Sequence, residues 1–177
     1  MSRRVRKFAL STHLVFSVGW IGTVIAYLAL GVAASWSADT QTVRAAWITM
    51  ELIGWYVIVP LALASLLTGL IMALGTSWGL FRHYWVLFSF MLTVLATVVL
   101  LLHMPDVTVL ADVARDGASG SAEAGHLVDQ LGSGDLLHPA LGLVVLLTIQ
   151  ALNVFKPVGL TGYGRRRQRR ERAGLRA

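Results

Sequence analysis

The feature that most constrains this chain is the arrangement of its apolar residues in four long, nearly uncharged blocks. A helix needs about 20 apolar residues to cross the roughly 30 Å hydrocarbon core of a bilayer. Apolar residues that run in blocks rather than in amphipathic stripes are typical of membrane spans. The sequence therefore predicts an all-α fold, a membrane four-helix bundle. The predicted spans cover about residues 8–34, 50–74, 83–104 and 136–155.

The basic residues predict the orientation of these spans. All lysines and arginines except Arg44 and Arg115 precede span one, separate spans two and three, or follow span four. All acidic residues but Glu171 fall on the opposite side. The positive-inside rule then places both the N-terminal segment 1–7 and the Arg-rich tail 157–177 in the cytoplasm. We expect a multi-pass protein of the bacterial cell membrane, N-in and C-in, with one transmembrane domain over 8–156.

The Arg-rich tail and the longest connection also carry predictions. A juxtamembrane arginine cluster interacts with anionic lipid headgroups, at about 1 kcal/mol per residue. We therefore expect the tail to contact lipid and do not expect a nucleic-acid partner. The connection 105–135 is predicted as an outer loop, and it is longer than a simple connector needs to be.

The composition excludes several classes of site. The chain has no cysteine, which excludes disulfides, thiolate metal sites and covalently attached c-type haem. The sequence contains no nucleotide-binding loop, hydrolase motif or zinc-protease motif. No catalytic residue is predicted.

The histidines are the most informative polar residues, because ionisable groups in spans are costly and often functional. His13 and His83 lie near the cytoplasmic ends of spans one and three. Imidazoles on facing helices can ligate a haem iron. One hypothesis is therefore a b-type haem held by His13 and His83, with Trp20 packed on the macrocycle, supporting electron transfer.

A second set of ligands lies near the outer ends of the spans. His103, Met104 and His138 are joined there by Glu51, at the start of span two. This mixture of soft and hard ligands suits copper. His83 and His103 are separated by about 30 Å along one helix, so we expect one site rather than two coupled sites. Each histidine also has a purely structural explanation, such as bonding to headgroups, so a chain without cofactor is the further alternative.

The helix faces support functions of other classes. In span one, one face carries His13, Ser17, Trp20, Val24, Tyr27 and Gly31. Another face has the small residues Gly19, Gly22 and Ala26, which let a neighbouring helix approach closely. The chain could accordingly be a scaffold subunit of a larger membrane complex or form a homo-oligomer. A third hypothesis is a proton-coupled transporter that uses Glu51 and the histidines.

Two further patterns concern the middle spans. Ser89, Thr93 and Thr97 form a hydroxyl stripe, interpreted as packing with hydroxyls bonded to carbonyls of the same helix. Pro60 is expected to kink span two.

Several short motifs together resemble a bacterial family of four-span integral membrane proteins without assigned chemistry. The first span is also similar to that of copper-resistance D-type membrane proteins, through the pattern H-x6-W-x-G from His13 to Gly22. The second resemblance implies copper or haem handling. The motifs of the first are M-E-L-I-G-W-Y-V-I-V-P (Met50 to Pro60), S-L-L-T-G-L (Ser65 to Leu70), W-G-L-F-R-H-Y-W (Trp78 to Trp85), L-L-H-M (Leu101 to Met104), H-P-A-L-G-L (His138 to Leu143) and N-V-F-K-P-x-G-L-T-x-Y-G (Asn153 to Gly164).

Overall fold

The computed structural model describes residues 2–75, 79–116, 136–157 and 159–174, and these residues are almost entirely helical. Four helices are long and apolar enough to cross a membrane, which suggests a multi-pass membrane protein and confirms the prediction of four long apolar helices. The elements are α1 (Arg3–Trp36), α2 (Thr40–Ile53), a π-helical turn (Gly54–Ile58), α3 (Val59–Gly75), α4 (Tyr84–Asp116), α5 (Leu137–Phe155) and α6 (Gly162–Gly174).

The four long helices pack in a ring. Helix α1 contacts α2, α3 and α5, and α4 contacts the same three helices from the other side. Because the chain runs up and down, its charges separate to two ends. The basic end carries both termini and the turn before α4, with Arg6, Arg82 and Lys156. The acidic end carries Asp39 and Glu51.

Three of the helices are longer than the predicted spans. α1, the continuous α2–α3 run and α4 have 34, 36 and 33 residues, or about 50 Å each. The second helix begins at Thr40 rather than near 50. The third continues through Pro105 to Asp116, so residues 105–116 of the predicted outer loop are helical. The rest of that loop, 117–135, lies outside the described residues.

The extension at the acidic end adds buried apolar residues to the core of the bundle. Asp39 caps α2 by accepting hydrogen bonds from the amides of Gln41 and Thr42. Trp47 and Met50 of α2 are fully buried, together with Val107 in the extended part of α4. A hydropathy window misses such a segment because only one face of each helix is apolar.

The π-helical turn changes which residues of the second helix face inward. It precedes Pro60, which has no N–H to donate to the preceding turn. A π-helical turn adds about one residue to the helical register. Met50 is buried before it, Gly54 and Ile58 are buried within it, and Ala62 is buried after it. Glu51 and Trp55 are not among the buried residues of this helix, and the exposed Trp55 donates its indole N–H to Thr108 at 3.0 Å.

Candidate functional site

A cavity of about 500 Å³ opens inside the bundle toward the basic end, between α1, α3, α4 and α5. This volume falls within the range of small-molecule sites, about 300–1,000 Å³. We call it the basic-end cavity. Its lining includes the predicted ligands His13 and Trp20, the basic residues Arg6, Lys7 and Lys156, and the polar residues Ser17, Ser65, Ser89, Thr93, Gln150 and Asn153.

A hydrogen bond to α3 determines which ring nitrogen of His13 carries its proton. His13 Nδ1 lies 3.0 Å from Thr68 Oγ1. The Thr68 hydroxyl donates its one proton to the carbonyl of Ala64, 2.7 Å away. It can therefore only accept from the imidazole, so Nδ1 carries the proton and Nε2 carries the lone pair.

The neighbouring serines do not satisfy that lone pair. Ser17 Oγ donates to the backbone carbonyl of His13 at 2.8 Å and lies 2.9 Å from Ser65 Oγ. Since the Ser17 proton is already used, Ser65 donates to Ser17. Ser17 Oγ approaches His13 Nε2 only to 3.5 Å, the outer limit of a hydrogen bond. Nε2 is thus an available acceptor on the cavity wall.

Gly69 makes room for this imidazole. A Cβ atom added at Gly69 would lie 3.2 Å from His13 Cε1, closer than side chains usually pack. Sequence reasoning missed Thr68 and Gly69 as site residues, although Ser65 and Gly69 share a helix face. Both residues belong to the S-L-L-T-G-L motif, which marked this segment in the sequence. Only the packing of α3 on α1 shows that the motif lies against His13.

Ser89 is the unexplained polar group of the basic-end cavity. Its side chain is 6% exposed, and its Oγ has no hydrogen-bond partner in the structure. Thr93 and Thr97 donate to carbonyls of their own helix at 2.8 Å, as predicted. A buried hydroxyl without a partner costs about 1–3 kcal/mol, so Ser89 points to a ligand atom that would satisfy it.

The structure places His83 elsewhere. It lies in the turn before α4, bridged through its backbone to Leu160, and its ring packs near Trp85 at 6.4 Å between centroids. His83 is not among the residues that line the basic-end cavity. The structure therefore places His13 and His83 in different surroundings, His13 on the basic-end cavity and His83 in the turn before α4.

The C-terminal segment docks on the turn that contains His83. The amide of Tyr84 donates to the carbonyl of Gly159 at 3.2 Å, and the amide of Thr161 donates to the carbonyl of Arg82 at 3.1 Å. The Thr161 hydroxyl donates to the carbonyl of Phe81 and accepts from the amide of Gly164. The motifs W-G-L-F-R-H-Y-W and N-V-F-K-P-x-G-L-T-x-Y-G are thus bonded to each other. The start of the Arg-rich tail is helical and is held by these bonds.

A second, smaller cavity of about 270 Å³ lies toward the acidic end. We call it the acidic-end cavity. It brings together His103, Met104 and His138, three of the four predicted copper ligands. The rings of His103 and His138 stack, with centroids 4.5 Å apart and planes inclined by 14°. Ring lone pairs in such a stack run side by side and do not converge on one ion.

Glu51, the fourth predicted copper ligand, is engaged in another interaction. Its carboxylate forms an ion pair with Arg115, which also donates to Asp112 at 2.6 Å. Glu51 does not line the acidic-end cavity. Within the described ranges, no group of three or more histidine or acidic side chains is placed to hold a metal ion.

The two cavities are neighbours. Trp20 and Leu146 line both of them, and each is more than nine-tenths buried. On the face of span one that carries His13 and Trp20, the residues Trp20, Val24 and Tyr27 are buried. One layer of side chains therefore separates the basic-end cavity from the acidic-end cavity.

Comparisons with protein-family models, with curated proteins and with solved structures found no match to this chain. The resemblances drawn from its motifs stay predictions. The interpretation of the site depends on the geometry above.

Proposed function

We propose that this protein is an integral protein of the bacterial cell membrane that binds b-type haem in the basic-end cavity, with His13 as the axial ligand. The observation that carries the proposal is the hydrogen bond from His13 Nδ1 to Thr68, which places the proton on Nδ1 and the ring's lone pair on Nε2. Histidines that ligate metals usually donate their other ring N–H to a fixed acceptor, which orients the ring.

The walls and rim of the cavity suit an amphipathic macrocycle. Trp20 and Trp85 supply large aromatic surfaces along its sides. Arg6, Lys7 and Lys156 supply cations at the basic end, where propionate groups would form charge-assisted hydrogen bonds. The positive-inside rule supports a cytoplasmic location for this end.

The proposal uses one histidine rather than the pair expected from sequence. His13 is the histidine that lines the basic-end cavity, whereas His83 belongs to the turn where the C-terminal segment docks. We therefore expect His13 to be the histidine that would hold the haem iron, and His83 not to take part.

The test is an absorption spectrum of the purified protein, oxidised and then reduced with dithionite, before and after addition of haemin. We expect about one haem per chain. The variant His13→Ala should lose it, and the matched variant His83→Ala should keep it. A wild-type protein that shows no spectrum of bound haem after haemin addition would overturn the proposal. Retention of haem by His13→Ala together with its loss in His83→Ala would do the same.

We propose a scaffold role as a second candidate, because the small-residue face of α1 is largely unused inside the bundle. Gly19 packs on Leu61 of α3, but a Cβ atom added at Gly22 would meet nothing within 4 Å, and Ala26 is exposed. Cross-linking in native membranes followed by gentle solubilisation tests this role. Recovery of a lone monomer would count against both a membrane-protein partner and a homo-oligomer.

A further inference from the structure

The basic-end cavity opens sideways between α1 and α5. Three apolar residues of its lining are 46%, 43% and 61% exposed, and they are Leu10 and Leu14 of α1 and Val154 of α5. The lining residues of α3 and α4, by contrast, are buried or half-buried. Exposed apolar side chains of a membrane bundle face lipid. A molecule of the bilayer would therefore meet this opening between α1 and α5.

Positive charge lies at the basic-end edge of the opening. Arg6 and Lys7 of α1 and Lys156 at the end of α5 line the cavity, and all three are exposed. Arg6, Leu10 and Leu14 follow at intervals of four residues, which places them on one face of α1. A charged level is thus followed by an apolar stretch that extends about 12 Å along the helix. A phospholipid has the same order, with its phosphate at the surface and its acyl chains beneath.

The backbone of Lys156 is a second, independent observation. The residue ends α5 in the left-handed conformation, with a φ of 44° and a ψ of 62°. Among the described residues, it is the one non-glycine residue with a positive φ. Glycine is the usual residue in this conformation at a helix end, because a Cβ atom is disfavoured there. Lysine at this position therefore adds a cation to the edge of the opening at a cost in backbone strain.

We propose that the opening between α1 and α5 binds an anionic phospholipid of the leaflet at the basic end. Arg6, Lys7 and Lys156 hold its phosphate, and an acyl chain lies along the apolar stretch beneath them. Attraction between basic side chains and anionic headgroups favours this occupant over a zwitterionic lipid. The proposal does not depend on haem binding, because it is tested on haem-free protein. Its failure would leave the spectral test of His13 unaffected, and failure of that test would leave the lipid measurement unaffected.

Native mass spectrometry measures the lipid that the purified protein retains from equal concentrations of dioleoyl phosphatidylglycerol and dioleoyl phosphatidylcholine. We expect wild type to prefer the anionic lipid about tenfold. The double variant Arg6→Gln with Lys7→Gln should lose most of this preference. The matched control is Arg3→Gln with Arg4→Gln, which removes the same charge from the same helix at residues that do not line the cavity. All four residues are exposed, so both variants should fold, and the control should keep the preference.

The variant Lys156→Asn separates the charge of this residue from its backbone. Asparagine adopts the left-handed conformation more readily than lysine does. The unfolding temperature of the lipid-free protein should therefore stay the same or rise, whereas the preference for phosphatidylglycerol should fall severalfold. A purely structural role of Lys156 would leave that preference unchanged, which would contradict its part in the proposal.

A further comparison tests the apolar stretch. Leu14→Trp should narrow the opening, whereas Val15→Trp adds the same ring at an exposed neighbour that does not line the cavity. We expect the first variant to retain severalfold less phosphatidylglycerol and the second to retain as much as wild type. Equal retention by these two variants would overturn the proposal.

A soluble competitor distinguishes a lipid from a free phosphate. Glycerol 3-phosphate at the concentration of the lipid should not displace phosphatidylglycerol, because it has no acyl chain to place in the opening. Displacement by glycerol 3-phosphate would overturn the proposal in favour of a site for phosphate alone. Equal retention of the two lipids by wild type would also overturn it, as would equal loss of preference in the two double variants.

Discussion

The two ends of the bundle are built on opposite principles. At the acidic end, Trp47, Met50 and Val107 are fully buried, and Glu51 is paired with Arg115. At the basic end, the same bundle leaves a cavity of about 500 Å³, and Ser89 has a buried hydroxyl without a partner. The layer of Trp47, Met50 and Val107 lines neither cavity, whereas the basic end contains the larger of the two described cavities.

This difference shows in which part of the bundle stabilising contacts are missing. An empty cavity forfeits dispersion contacts, and a buried hydroxyl without a partner adds a desolvation penalty. These features lie beside His13, whose ring is oriented by Thr68. A cavity next to an oriented imidazole is what a binding site requires, so we assign ligand binding to the basic-end cavity and stability to the layer of Trp47, Met50 and Val107.

The largest expected change in the free energy of unfolding concerns Trp47, in the fully buried layer at the acidic end. Trp47→Ala should lower the free energy of unfolding by about 3–5 kcal/mol, because the void cannot close around a fully buried tryptophan. Trp85→Ala should cost less, about 2 kcal/mol, because Trp85 already borders a cavity. Denaturant unfolding in detergent micelles, followed by circular dichroism, measures both. Equal losses would break the comparison between the two ends.

A smaller effect of opposite sign is expected from Ser89→Ala. Removing a buried hydroxyl that has no partner should leave the stability of the haem-free protein unchanged or raise it by about 1 kcal/mol. Thr97→Val, on the same stripe, removes a hydrogen bond to the carbonyl of Thr93 and should not stabilise the protein. The same unfolding measurement compares the two variants. Clear destabilisation by Ser89→Ala would show that the hydroxyl has a structural partner.

The smallest expected effect concerns the cap of α2. Hydrogen bonds from the Thr42 hydroxyl and from the amides of Gln41 and Thr42 lower the pKa of the Asp39 carboxyl. A lowered pKa in the folded state means that the cap stabilises the protein above the unfolded pKa of aspartate. This contribution is lost as the pH falls through the folded pKa. Asp39→Ala should therefore be less stable than wild type at neutral pH, and the gap should narrow on acidification.

Thermal unfolding of wild type and Asp39→Ala between pH 7 and pH 3 measures that gap. Asp39→Asn serves as the control, because asparagine caps helices well without a carboxylate to titrate. A gap that stays constant with pH would mean that the charge on Asp39 contributes nothing to the cap.

The existence and type of the main elements could be predicted from local pattern. Four apolar blocks became four long helices, and the polar and aromatic face of span one became the buried face of α1. The candidate site could be predicted only in part. His13 and Trp20 line one cavity together, and His103, Met104 and His138 line the other. The sequence could not show that the C-terminal segment docks on the turn that contains His83. For that reason it could not show that His83 is absent from the lining of the basic-end cavity.

Hydropathy, helical period and charge distribution act within a single segment, so the sequence by itself determined the helices, the buried stripe of α1 and the separation of charge between the two ends. Tertiary packing decided which side chains meet. The π-helical turn before Pro60 changed the register of the second helix, and Glu51 paired with Arg115. Thr68 and Gly69 became the partners of His13 because α3 packs on α1. Such contacts join residues far apart in the chain, and their register depends on every helix in the ring.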